Sequence, residues 1–140
     1  MKIKIVRTAT EKSDCVLIRK AVFVEEQKVP MNLEIDEHED EAIHFVGYVD
    51  DQPVAASRLR FVYGKGKLER ICVLKEHRGK SFGKQIIDKM EEVVKDHDIK
   101  QTTLNGQVHA ISFYEKLGYQ VVSEEFMDAG IPHVSMEKDL

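Results

Sequence analysis

The chain has 140 residues, 42% of them hydrophobic and 33% charged, with 25 acidic residues against 21 Lys and Arg. That suits one domain spanning 1–140, with a core of its own, and excludes a disordered chain. The net charge of −4 speaks against a nucleic-acid partner, and the two isolated cysteines, Cys15 and Cys72, against a metal site or a disulfide framework.

"KIKIVR" (2–7) alternates with period two and predicts a strand. "MKIKIVRT" lacks the apolar stretch of a signal peptide, and no apolar run approaches the roughly 18 residues of a membrane span, so the cytoplasm is the expected location. Residues 11–27 follow Thr10 as N-cap and carry Cys15, Ile18, Val22 and Phe23 at helical spacing, with Pro30 closing the segment. "EIDEHEDE" (34–41) reads as a loop in which six carboxylates surround His38. A calcium loop would need Asp or Asn at 38 and Gly at 41, but His38 and Glu41 stand there. The segment is then either a solvated acidic loop or a negative lip that attracts a cationic amine.

"IHFVGYV" (43–49), a turn at 50–53 and "VAASRLRFV" (54–62) predict an antiparallel hairpin. A turn at 63–66 and a strand "KLERICVL" (67–74) follow. Phe82, Ile86, Ile87, Met90, Val93 and Val94 then repeat at helical spacing to about His97. "QTTLNG" (101–106) predicts a strand, "AISFYEKL" (110–117) a helix capped by Gly118, and "YQVVSEEF" (119–126) and "HVSMEK" (133–138) two last strands. The strand–helix–strand run over 67–106 implies a parallel pair inside a mixed sheet.

Between strand and helix lies "EHRGKSFGKQ" (76–85). Its Gly79-Lys80-Ser81 ends like a nucleotide-binding P-loop, but the first glycine of that motif is replaced by Leu74. The dinucleotide fingerprint G-x-G-x-x-G fails as well. What remains is a glycine-bearing turn that opens an amphipathic helix, with Arg78, Lys80 and Lys84 and no acid between them. Free amides at a helix N-terminus, carrying about half a positive charge, suit an anion.

"RGKSFG" (78–83) resembles the [Q/R]-x-x-G-x-[G/A] signature of the GNAT superfamily of N-acetyltransferases, with Ser81 where glycine is usual. "ISFYEKLGY" (111–119) is similar to a second GNAT segment, A-x-x-F-Y-x-x-x-G-[FY], with Phe113, Tyr114, Gly118 and Tyr119 in register. The resemblance covers nearly the whole chain and is nearest to a branch of small bacterial members. It implies an α+β (mixed α/β) GNAT-like fold: a central, mixed, mostly antiparallel sheet of six to seven strands with helices on both faces.

It further implies acetyl-CoA as cosubstrate and no metal. The pyrophosphate is expected on the amides of Arg78, Gly79, Lys80, Ser81, Phe82, Gly83 and Lys84, and the pantetheine arm along the backbone of Ile71, Cys72 and Val73. Tyr114 is expected beside the cofactor sulfur, protonating the departing thiolate or hydrogen-bonding it; the alternative is an amphipathic core tyrosine. Asn105 either bonds the pantetheine or a water, or caps the following turn. An amine attacks only when neutral, and a free alkylammonium has a pKa near ~10. A base is therefore needed, with Glu69 the first candidate and His109, His133 or water the alternatives. Helix 11–27 and the loop after it, with Glu25, Glu26 and Gln27, are expected to shape the acceptor side. Two readings follow: direct acetyl transfer to a primary amine, or a non-catalytic acyl-CoA-binding module that works through protein contacts. The acceptor and a homodimeric state are left open.

Overall fold

A computed structural model describes all residues from Met1 to Leu140. Eight strands form one sheet in the order β1 (Lys2–Ile5), β2 (Ile43–Val49), β3 (Gln52–Val62), β4 (Lys65–Val73), β5 (Gln101–Gln107), β8 (Ile131–Asp139), β6 (Gln120–Val121), with β7 (Phe126–Asp128) also pairing β8. Every pairing is antiparallel except β4 with β5. This is the mixed, mostly antiparallel sheet expected, with one strand more than the range foreseen.

Alternation along the strands splits the apolar residues between two faces. Phe45, Ala55, Leu59, Leu68, Leu104 and Met136 face α3 (Phe82–Asp96) and bury its Ile86, Ile87 and Met90. Their neighbours Val46, Ala56 and Cys72 face the opposite side and pack on Cys15, Ile18 and Val22. Each fully buried Ile or Met contributes about 1.5–3 kcal/mol by leaving water. No helix is long and apolar enough to cross a membrane.

Several boundaries depart from the sequence reading. The first helix, α1 (Ala9–Arg19), starts earlier than Thr10 implied: Thr8 is the N-cap, and its side chain and that of Glu11 form a reciprocal capping box. After Arg19 the helix widens, with i→i+5 bonding over Lys20–Glu26 that includes Gln27 N–H to the Val22 carbonyl at 3.0 Å. A short helix, α2 (Met31–Glu34), ends on Glu34, the first residue of the acidic segment. The strand expected over 119–126 is two, β6 and β7, set along the same strand β8. Between them the Ser123 hydroxyl accepts the Ser135 N–H that a regular ladder would give to a carbonyl.

The acidic segment is not a solvated loop. Glu34 lies on the buried Arg19 guanidinium at 2.9 Å, Glu39 bridges Arg19 and Arg58, and Asp36 accepts from Arg58 and Arg70. Arg19 is 0% and Arg58 1% exposed. Burial opposes ionisation of Asp36 and Glu39, but hydrogen bonds from Arg58 and Arg19 outweigh it and hold both at about 2. The negative lip is thus largely neutralised, with Glu37 and Asp40 its only acids free of an Arg or Lys partner.

Candidate active site

The parallel pair β4–β5 holds only from Gly66 to Leu68 opposite Thr102 to Leu104. Beyond that the strands part, leaving Glu69–Val73 on one wall of a groove and Asn105–Gln107 on the other. A bulge lies at the point of parting. Between the pairs Arg58↔Glu69 and Ala56↔Cys72, Arg70 and Ile71 together oppose Ser57, and Arg70 takes φ +55. The extra residue shifts the alternation, so that Leu68, Ile71 and Val73 share the α3 side while Glu69 and Cys72 share the other. Strict alternation, the basis for setting Glu69 against Arg70, therefore fails at this point.

Cys72 contributes main chain only. Its thiol is buried, donates to the Ala56 carbonyl, and is pushed far up by burial. The edge of β4 turned toward the groove has no strand to pair with and presents backbone donors and acceptors to anything lying between the walls.

The groove runs into the loop after β4. Lys75–His77 make one 3-10 turn, Gly79 takes φ +79, and Ser81 takes φ +63 as the N-cap of α3 without a side-chain capping bond. The N–H groups of Gly79, Lys80, Ser81, Phe82, Gly83 and Lys84 all lack an acceptor in the chain; the first amide of this stretch to find one is Gln85, on the Ser81 carbonyl. Six consecutive donors at a helix N-terminus form an anion cradle.

The basic side chains there play unequal parts. The Arg78 guanidinium is held by both oxygens of Glu26 and by the Val73 carbonyl, and Lys84 pairs with Asp88 one turn along the helix. Lys80 has no partner in the chain. Gly83 serves packing: a Cβ there would lie 3.3 Å from the Phe113 ring.

That ring belongs to α4 (Ile111–Lys116), which covers the groove from the α3 side. The ring of its neighbour Tyr114 packs on Gly106 of β5, where a Cβ would lie 3.0 Å from Cε2 of the phenol ring. Sequence reading passed over Gly106, whose only signal was a glycine inside a strand. The Tyr114 hydroxyl has no partner in the chain, and burial pushes it up to about 12.

On the opposite face of β5 and β8 lie Asn105, Gln107, His133 and Ser135, by alternation with Leu104, Val134 and Met136. Asn105 accepts from the Ser135 hydroxyl at 2.9 Å, leaving its amide N–H groups free. Gln107 donates to Gln27 and accepts from exposed His109. His133 donates from Nδ1 to the Ile131 carbonyl at 2.7 Å and stacks on Phe126, which leaves Nε2 as its unpartnered acceptor. Glu69 has no such freedom: Arg58 reaches one oxygen at 3.0 Å, and Arg60 and Lys67 reach the other at 3.4 and 3.6 Å.

A mixed sheet whose parallel pair opens beside an amide-lined helix start, roofed by a short helix bearing a tyrosine, defines the acetyltransferase class of fold. The chain belongs to the GNAT acetyltransferase family, whose domain model matches residues 8–140. It is 47% identical over 140 residues to the uncharacterized N-acetyltransferase YjcF of Bacillus subtilis (strain 168), covering 99% of this chain and 100% of that one. The crystal structure of Escherichia coli ElaA superposes with a TM-score of 0.88 at 26% identity over 99% of each chain. An aminoglycoside 6'-N-acetyltransferase complexed with coenzyme A has the same fold, with a TM-score of 0.81 at 18% identity over 99% of this chain and 97% of that one.

Proposed function

We propose that this protein is an acetyl-CoA-dependent N-acetyltransferase that moves the acetyl group directly onto a primary amine. The observation that carries the reading is the continuity of groove and cradle. A main-chain edge able to pair with an amide-bearing arm ends at six unpartnered N–H groups able to hold its diphosphate. That a relative of the same fold is complexed with coenzyme A supports the choice of ligand.

In this reading the pantetheine arm lies along Ile71–Val73, with Asn105 across the groove, and the diphosphate lies on Arg78–Lys84. The amine approaches from the face carrying Asn105 and His133. Its nitrogen bonds to the thioester carbonyl carbon, the carbon–sulfur bond breaks, and the electron pair leaves on sulfur. A main-chain N–H of the β4 edge, in this reading, stabilises the carbonyl oxygen as it gains charge.

The nitrogen sheds two protons between ammonium and amide. A base takes the first before attack, and the second passes to solvent as the tetrahedral adduct collapses and coenzyme A leaves as its thiolate. An alkylammonium near ~10.4 must lose a proton before attack. His133 suits that task better than Glu69, because its Nε2 is free whereas both Glu69 oxygens already accept from cations. At sulfur, burial pushes the Tyr114 phenol up to about 12, so it holds its proton tightly while remaining a hydrogen-bond donor. Tyr114 therefore stabilises the thiolate by donating a hydrogen bond and keeps its proton.

The test is release of coenzyme A thiol from acetyl-CoA across a panel of primary amines, with mass detection of the acetylated product. Turnover that drops in Tyr114→Phe is the expected result. Acetyl-CoA binding without turnover on any amine would replace this reading with that of a non-catalytic acyl-CoA-binding module.

A further inference from the structure

α4 is only six residues long, too short to keep its shape unaided, yet it carries the hydroxyl that the proposed reaction needs. Its support lies just beyond its end. Tyr119 is 2% exposed, and its hydroxyl lies 2.8 Å from Glu91 Oε2 and 2.9 Å from Thr102 Oγ1. Having one proton, the phenol donates to the carboxylate and accepts from the threonine. Buried Glu91 in turn takes Lys138 Nζ at 2.9 and 3.2 Å, and that ammonium stands 5.7 Å above the Tyr119 ring. Elements α3, β5 and β8 thus converge on one side chain.

From there the contacts lead directly to Tyr114. The Tyr119 N–H donates to the Tyr114 carbonyl at 3.1 Å, through a reversal in which Gly118 takes φ +98. The two rings meet edge to face with centroids 6.2 Å apart, and Gly106 backs the Tyr114 ring on β5. A phenylalanine at 119 would fill the same volume without drawing Glu91 and Lys138 out of water. What the hydroxyl adds is a fixed height and tilt for the ring on which Tyr114 rests.

We propose that Tyr119, anchored by Glu91 and Thr102, is a positioning residue that aims the Tyr114 hydroxyl at the cofactor sulfur. The inference rests on the reading of Tyr114 as the hydrogen-bond donor to that sulfur. It concerns orientation, so its signature belongs at the sulfur rather than in the affinity for the nucleotide end.

The experiment needs no acceptor. Coenzyme A itself is bound to the full chain, and its thiol is titrated through the ultraviolet absorbance of the thiolate, with calorimetry and melting run in parallel. Loss of the donor in Tyr114→Phe raises the bound thiol's pKa, by about one unit or tenfold in its ionisation constant. Tyr119→Phe moves the thiol most of the way to that value, while coenzyme A affinity changes by less than about threefold. The double variant matches Tyr114→Phe alone, because Tyr119 acts only through Tyr114. Thr102→Val, which removes the other hydroxyl partner, gives a smaller shift in the same direction and replaces Tyr119→Phe if that variant does not fold. A wild-type thiol in both Tyr119→Phe and Thr102→Val, or additive shifts in the double variant, overturns the positioning role and leaves Tyr114 in place. An unshifted thiol in Tyr114→Phe itself overturns both readings.

Discussion

Glu26 grips Arg78 with both carboxylate oxygens, at 2.6 and 2.7 Å from the two terminal guanidinium nitrogens. The pair ties the widened end of α1 to the loop after β4, and next to it Gln27 bonds Gln107 on the opposite wall of the groove. In the proposed reading of this loop, Glu26 competes with a phosphate for the Arg78 guanidinium. Glu26→Gln should therefore tighten coenzyme A binding about threefold to tenfold, with a steeper loss of affinity on adding salt. Calorimetry at low and physiological ionic strength checks this, and an unchanged affinity would show that Arg78 stays out of reach.

The two candidate bases separate by substitution. His133→Gln should lower kcat/KM on a reactive amine by about 10²-fold. Glu69→Gln should retain most of the activity and instead lower the melting temperature, since it strips a shared anion from Arg58, Arg60 and Lys67. A rate unchanged in His133→Gln and lost in a folded Glu69→Gln would reverse the assignment.

The buried arginines are structural, and removing one should be costly. Arg19→Met leaves buried Glu34 with only the 3.4 Å contact to Arg70 and Glu39 with only Lys12 and Arg58, which should cost about 3–5 kcal/mol in denaturant unfolding. Adding Glu34→Leu should recover part of that loss, because the stranded charge goes with it. Unchanged coenzyme A binding in the folded pair would show that this network supports the fold and not the cradle.

The same network sets an acid limit. Burial, ahead of the neighbouring Lys12 and Arg19 charges, holds His44 below its ordinary value of 6.5, so the unfolded chain takes up that proton first. Stability from His44 is complete above about pH 6.5 and declines as pH falls below it. Asp36 and Glu39 stay ionised down to about 2, against ordinary values of 3.8 and 4.5. Their contribution, on the order of 2 kcal/mol each, is present above about pH 4.5 and vanishes as pH falls toward 2. Melting temperatures measured on acidification should fall in two stages, and His44→Asn should remove the first.

The elements legible in the sequence were those whose pattern is local. The α3 periodicity, the β2–β3 hairpin and the two family segments placed the groove, the cradle and Tyr114 without any long-range information. Thr8 was also within reach, since Thr8-x-x-Glu11 is a capping-box pattern; Thr10 lacks such a partner three residues on. The positive φ of Arg70 has no sequence signal, because an arginine does not advertise a bulge. Nor did residues 34–41 disclose their burial. Their cations come from α1, β3 and β4, far away in sequence, so a segment without Lys or Arg looked destined for water.

The halted pairing of β4 and β5 has a wider implication. If the donor molecule is gripped chiefly by peptide groups, its recognition depends little on which side chains flank the opening. Amino-acid changes along those walls then leave the donor's seat intact while reshaping the space from which the second reactant arrives. One scaffold can in this way hold a constant acyl carrier and serve many different recipients.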